Sequence, residues 1–143
     1  MVLLKSVVEN KIHPNVERVF GLDQGVANLF GYTVVKALDG QCQIRTTVIE
    51  QFVNAAGFGH GSLAFTLMDT ASAYAVASIE SKGVTVNANV TYVKSVAAGD
   101  EMIAQSSILT RSKRMVSLRS EVMVAEDLVA HGTFVFQLLE SKN

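Results

Sequence analysis

Residues 62–81, SLAFTLMDTASAYAVASIES, carry apolar or small side chains on every side of a helical wheel. A helix of this kind has no polar face to turn towards water, so the rest of the chain must cover it all round. From Gly61 to Ile79 the stretch approaches membrane-spanning length, but Asp69 stands at its centre. A central Asp costs roughly 2.5–3.5 kcal/mol on insertion scales, which makes the stretch a buried helix of a water-soluble domain. The start, MVLLKSVVENK, meets Lys5 after three apolar residues, too short a run for a signal peptide, so no export is expected.

The flanking sequence reads as strands. Tyr32–Ala37 and Gln41–Val48 are rich in β-branched residues and flank a turn at Leu38-Asp39-Gly40, the pattern of a hairpin. After Lys82-Gly83 come Val84–Val93, Glu101–Thr110, Met115–Ala125 and Leu128–Leu139, with turn signals at Gly99-Asp100, Arg111–Arg114 and Glu126-Asp127. Connections this short make the strands antiparallel. One long apolar helix beside one antiparallel sheet is accommodated by curling the sheet around the helix, an α+β arrangement of five or six strands. The opening, Val2 to Phe30, has loosely helical spacing and a boundary between two short pieces at His13-Pro14. The whole, 1–143, reads as one domain with residues 1–28 as an N-terminal helical segment.

With 49 % apolar residues, 17 % charged residues and a net charge of -1, the chain can fill a core and retain apolar surface for a partner, so an oligomer is expected. Neither a nucleic acid nor a membrane is expected as partner. The single Cys42 excludes an internal disulfide and a multi-cysteine zinc site, and points to a reduced, cytoplasmic compartment. His13 and His131 are too isolated to suggest a metal cluster, and no metal is expected.

The loop Gly57-Phe58-Gly59-His60-Gly61 lacks the G-x-G-x-x-G spacing of a dinucleotide-binding turn. It is either a flexible turn or a place where the bare N–H groups of a helix start meet a ligand, and glycine permits that close approach. Asp69 has no Lys or Arg anywhere between Thr46 and Ser81 to neutralise it. It is either a structural Asp bonded to Ser62, Thr66 or Ser72, or a general base or nucleophile in an apolar setting. Poor helix propensity for Asp favours chemistry. A Ser62-His60-Asp69 triad is not expected, because residues two apart at a helix start do not face each other. Arg111, Lys113 and Arg114 form a basic turn, either solvated or a landing place for phosphates.

The run Asn54-x5-His60-Gly61-x7-Asp69-Thr70-Ala71, extended by Ala73-Tyr74-Ala75, by Tyr92-Val93-Lys94 and by Gly99-Asp100, resembles the PaaI-like acyl-CoA thioesterases of the hotdog fold, in particular the phenylacetate-degradation branch. The resemblance covers roughly residues 29–137. It implies that the Gly61 N–H polarises a thioester carbonyl and that Asp69 acts as general base or nucleophile. Asn54 and His60 would shape the loop, Thr85 would help place water, and Lys94 would take the family's basic position beside CoA. Ser62 stands where the family has a second glycine, Thr85 where it usually has Ser, and Ser95 where a proline often follows. The resemblance further implies hydrolysis of an acyl-CoA, aromatic acyl groups included, with no cofactor beyond the CoA of the substrate, by a homodimer as minimal active unit within a homotetramer. Gly61 and Asp69 are eight residues apart, about 12 Å along a helix at 1.5 Å per residue, too far to act on one carbonyl. Two antiparallel helices across a two-fold axis would pair each helix start with the other's Asp. A thiolate leaving group, with a pKa near 8.5 on the cysteine scale, needs little acid assistance. A hydratase or dehydratase on the same fold, using His60 and Asp69, and a non-catalytic acyl-CoA sensor are the alternative expectations.

Overall fold

Along four strands every second side chain is buried, and all of them face one helix. The computed structural model describes residues 11–140. Its helices are α1 (Pro14–Leu22), α2 (Gln24–Phe30) and α3 (Gly61–Ala77), with a single 3-10 turn at Glu50–Phe52. The strands are β1 (Thr33–Leu38), β2 (Gln41–Thr47), β3 (Gly83–Tyr92), β4 (Glu101–Arg111), β5 (Met115–Val124) and β6 (Asp127–Leu138). All six lie in one antiparallel sheet ordered β1-β2-β4-β5-β6-β3, and α3 touches every one of them. The expected strands are thus present within a residue or two. The hairpin turn has Asp39 at φ 54° and Gly40 at φ 80°, the two positive angles that a tight hairpin whose twist matches its strands requires.

The sheet bends around α3 at four places where the register slips by one residue, at Val35 in β1, Val86 in β3, Leu109 in β4 and Val129 in β6. An extra residue on one strand sharpens the local twist, which is how a sheet curls. On its concave face Cys42, Ser106, Ser120 and Gly132 are register neighbours across β2, β4, β5 and β6. This row of small side chains lets the helix sit close. The hydroxyls in the row are satisfied: Ser106 Oγ donates to Ser120 Oγ at 2.7 Å, and Ser72 Oγ of α3 donates to Ser106 Oγ at 3.0 Å. Larger residues on either side, among them Ile44, Leu118, Phe134 and Phe136, close over Leu63, Leu67, Met68 and Tyr74 of the helix.

The N-terminal segment contains a break that its spacing did not signal. Lys11–His13 is extended and pairs with Ala37 through His13 N–H to Ala37 O (2.8 Å) and Ala37 N–H to Lys11 O (2.9 Å). Pro14 opens α1, where its missing N–H costs nothing, so His13-Pro14 is a helix start; the helical piece expected before it falls on residues 1–10, outside the described part. Within the described residues a further break falls at Asp23, whose carboxylate accepts from Tyr74 Oη of α3 at 2.8 Å. The helical segment runs on to Phe30, and residues 1–10 lie outside the described part. Helix α3 ends at Ala77, short of the expected Ser81. Ser78 Oγ turns back onto Ala75 O (2.7 Å) and accepts from Gly40 N–H (2.8 Å), while Glu80 adopts a left-handed φ of 58°. Nor do the described residues cover α3 on all sides. Gly61, Asp69 and Ala73 are only half-buried, and Phe65 is 37 % exposed.

A Cβ on Gly132 would strike the carbonyl oxygen of Asn89 and lie 3.1 Å from the Val90 Cα, both backbone atoms of β3 that cannot swing away. Gly132→Ala is therefore expected to destabilise the fold by about 1–3 kcal/mol, read as a lower urea midpoint. Ala substitution at the open Gly21, which lies inside α1, should instead raise that midpoint slightly, since Ala is the better helix former by up to about 1 kcal/mol.

Candidate active site

The loop before α3 is held by its own polar groups. Asn54 Oδ1 accepts from the N–H groups of Ala56 and Phe58, each at 3.0 Å, and Gly57 N–H closes back onto Asn54 O. Gly59 N–H donates to Val96 O at 2.8 Å, and His60 N–H to Phe52 O at 2.6 Å, so the end of the loop next to α3 is tied both to a neighbouring segment and to the loop's own start. Phe52 is in turn stacked on Phe30, with ring centroids 5.4 Å apart. A glycine is required at 59 because a Cβ there would lie 2.5 Å from Val96 Cγ2.

His60 caps α3. Its Nδ1 accepts from Ser62 N–H at 3.0 Å and lies 2.8 Å from Ser62 Oγ. A backbone N–H can only donate, so Nδ1 carries no proton and the ring is the Nε2–H tautomer. His60 and Ser62 therefore do face each other, contrary to the spacing argument. The cap residue lies outside the helix, and its ring folds over the first turn. The triad is nonetheless absent, since Asp69 bonds elsewhere. Among the described residues no acceptor meets the N–H of Gly61. That donor sits at the positive end of α3 and borders a cleft of about 320 Å³ lined by Asn54, Phe58, Tyr92, Lys94, Met102 and Ala130, among others.

Asp69 is two helical turns further on and does not line this cleft. Its partner is not Ser62, Thr66 or Ser72. Thr85 of β3 donates its hydroxyl to Asp69 Oδ1 at 2.5 Å, while Ser72 points into the core at Ser106. No protein donor reaches Asp69 Oδ2 among the described residues. Burial pushes the carboxyl above the ordinary value of 3.8, and the Thr85 bond pulls it part of the way back.

The basic candidates are separated within one chain. Lys94 follows the end of β3, borders the cleft and lies 3.4 Å from Asp127. Arg111, Lys113 and Arg114 lie at the other end of β3. Arg111 donates to Ser81 Oγ at 3.1 Å, and Arg114 O accepts from Leu138, the register partner of Gly83. The ten residues of β3 put the two groups roughly 30 Å apart. Among the described residues no three His, Cys, Asp or Glu side chains converge as metal ligands.

The family model of the thioesterase superfamily matches residues 56–140. The chain belongs to the thioesterase superfamily. Human acyl-coenzyme A thioesterase 13 is 31 % identical over 103 residues, 71 % of this chain and 67 % of that protein. The PaaI protein from the E. coli phenylacetic acid degradation operon superposes with a TM-score of 0.85 at 23 % identity, over 89 % of this chain and 92 % of that one. A Streptococcus mutans protein solved with acetyl CoA bound superposes with a TM-score of 0.75 at 24 % identity, over 78 % and 91 % of the two chains. These solved structures share the hotdog architecture.

Sequence reasoning gave no role in this thioesterase to Tyr92, whose hydroxyl donates to Gly61 O at 3.1 Å across 31 positions of chain. No local period could signal a contact of that separation. The position was visible only as part of Tyr92-Val93-Lys94.

The Asp69 environment has a measurable sign. Its carboxyl, followed by carbon NMR, is expected to titrate above 3.8, and higher again in Thr85→Val, which loses the bond that favours the charged form. Because the folded state holds this proton more tightly than the unfolded chain, the stability it contributes is complete below 3.8 and is lost as pH rises through the folded value. Asp69→Asn escapes that loss. Urea unfolding should show its stability gaining on the parent's between acid and neutral pH.

Proposed function

We propose that this thioesterase hydrolyses acyl-CoA thioesters at composite sites, each made from the helix start of one subunit and the carboxylate of another. The observation that carries the reading is the division of labour along α3: an unpaired Gly61 N–H borders the cleft, while Asp69 lies two turns outside it. A thioester carbonyl would lie in the cleft with its oxygen on Gly61 N–H, which stabilises the charge that develops during attack. The Asp69 of the opposing subunit would take a proton from water or attack directly. The Thr85 hydroxyl is committed as a donor to Asp69, so its lone pairs are free to accept from that water.

The assembly is supported by β3. It is an edge strand whose outer side is unpaired among the described residues, and Val84 and Val86 on it are about half exposed, at 48 % and 49 %. An unpaired edge of this kind is a template for another strand. Antiparallel pairing of two β3 strands about a two-fold axis would run the Thr85 end of each beside the Tyr92 end of the other. Asp69 would then stand near the partner subunit's Gly61, and the Arg111–Arg114 turn near the same cleft as the partner subunit's Lys94. The two basic groups that one chain keeps apart would flank one CoA, which suits its phosphates. The cleft floor, with buried Met102, Val129 and Ala130, suits an apolar acyl group, aromatic ones included. The acetyl CoA bound to the S. mutans neighbour and the name of the human relative favour the same substrate class. A hydratase needs a free imidazole, whereas His60 Nδ1 is spent on the cap.

Asp69→Asn is expected to lower kcat by about a thousandfold or more on the best substrate of an acyl-CoA panel covering chain lengths and aromatic esters, with KM largely kept. Near-parental turnover would remove Asp69 from the reaction. Mixing Asp69→Asn with Gly61→Val chains, each inactive alone, should restore activity once subunits exchange, since one site of each heterodimer is then intact. Verified heterodimers that stay inactive would show that each chain builds its own site.

A further inference from the structure

The Gly61–Ser62 peptide is gripped at both ends. Its N–H donates to His60 Nδ1 at 3.0 Å, and its carbonyl oxygen accepts from Tyr92 Oη at 3.1 Å. His60 belongs to the loop and Tyr92 to the end of β3, so the grip comes from two separate elements. The same Tyr92 ring covers the Cα of residue 61. A Cβ built there would lie 3.3 Å from Cε1 and Cζ and 3.4 Å from the hydroxyl. Tyr92 therefore crowds any side chain at residue 61 and holds the direction of its carbonyl. Fixing that carbonyl fixes the ψ angle of Gly61, and with φ set by the helix start, the direction of its N–H follows.

We infer that Tyr92 is a positioning residue that, together with His60, aims the Gly61 N–H into the cleft. A glycine opening a helix has more backbone freedom than any other residue, and an N–H that must meet a developing oxyanion cannot be left to it. A second hydrogen bond to the carbonyl of a first-turn residue is not needed by the helix itself, because that oxygen already has an intrahelical donor available. Its use is local. Desolvation raises the pKa of the Tyr92 hydroxyl, which keeps it protonated and donating across the working range of the other groups. The role rests on the acyl-CoA reading above, because the donor being aimed is the one given to the thioester oxygen there.

The test is Tyr92→Phe, which keeps the ring over Gly61 and removes only the hydroxyl. Parent and variant are compared on the same acyl-CoA, with a non-hydrolysable thioether analogue for binding and with thermal unfolding and sedimentation as controls. The expected result is a kcat about tenfold lower, with KM and the analogue's Kd changed by less than about twofold, because alignment is needed in the transition state and not in the ground state. An unchanged kcat, or a raised KM at unchanged kcat, overturns the positioning role while leaving acyl-CoA hydrolysis in place. A parent that hydrolyses no acyl-CoA overturns the acyl-CoA reading and this role with it. A cycle of Gly61→Ala in the parent and in Tyr92→Ala supplies an independent arm. The added methyl should cost several-fold more activity under the ring than where the ring is gone, and strictly additive losses overturn the role.

Discussion

A helix without a polar face can share a core with one sheet only if the sheet bends and leaves it room. Both conditions are met by identifiable residues. The one-residue register slips at Val35, Val86, Leu109 and Val129 bend the sheet. The row Cys42, Ser106, Ser120 and Gly132 lowers the floor beneath α3. Two serines in that row are polar and fully buried, yet they cost little, since each hydroxyl bonds another or the Met68 carbonyl. The absence of a side chain at Gly132 also lets β3 close on β6, and β3 carries Thr85 and Tyr92. The placement of the site thus depends on the same small residues that admit the helix.

The face of α3 that the sheet leaves open holds Gly61, Phe65, Asp69 and Ala73 at intervals of four, hence on one stripe. A carboxylate on that stripe is partly desolvated and receives a single protein donor, Thr85. Stability would favour more partners or none of the charge. Burial raises the basicity of Asp69 and the Thr85 bond lowers it again, so further donors would work against the proton-accepting role proposed above. The aromatic Phe65, halfway between Gly61 and Asp69, packs against Phe134 at 5.6 Å and screens the stripe from the core.

The architecture was legible because its signals are local: β-branched alternation, the Asp39-Gly40 turn and an apolar run too long for a strand. Asn54, His60, Gly61 and Asp69 were legible because they cluster within sixteen residues of one loop and helix. What escaped depended on contacts between distant elements. Only helical neighbours were at hand as partners for a structural Asp69, and from the residues alone Thr85 could not be preferred, as it belongs to the next strand. The break at Asp23 escaped because the residue is held by Tyr74, 51 positions away. His60 was misjudged for a geometric reason: a cap residue does not obey helical spacing. The basic turn and Lys94 read as one group, and β3 holds them at its opposite ends.

The cleft also bears on which esters such a site can cleave. Its titratable residues are His60, Tyr92 and Lys94. His60 Nδ1 holds the helix cap, the Tyr92 hydroxyl is bonded to Gly61 O, and Lys94 lies 3.4 Å from Asp127. The reaction proposed above assigns none of them to protonating a leaving group. An alkoxide is too basic to depart without that proton, whereas a thiolate with a pKa near 8.5 departs unaided near neutral pH. On the mechanism proposed above, one N–H donor, one raised carboxylate and one hydroxyl would therefore suffice for a thioester, whereas an ordinary oxygen ester would call for a proton donor as well. Selectivity between the two would then follow from the basicity of the leaving group itself.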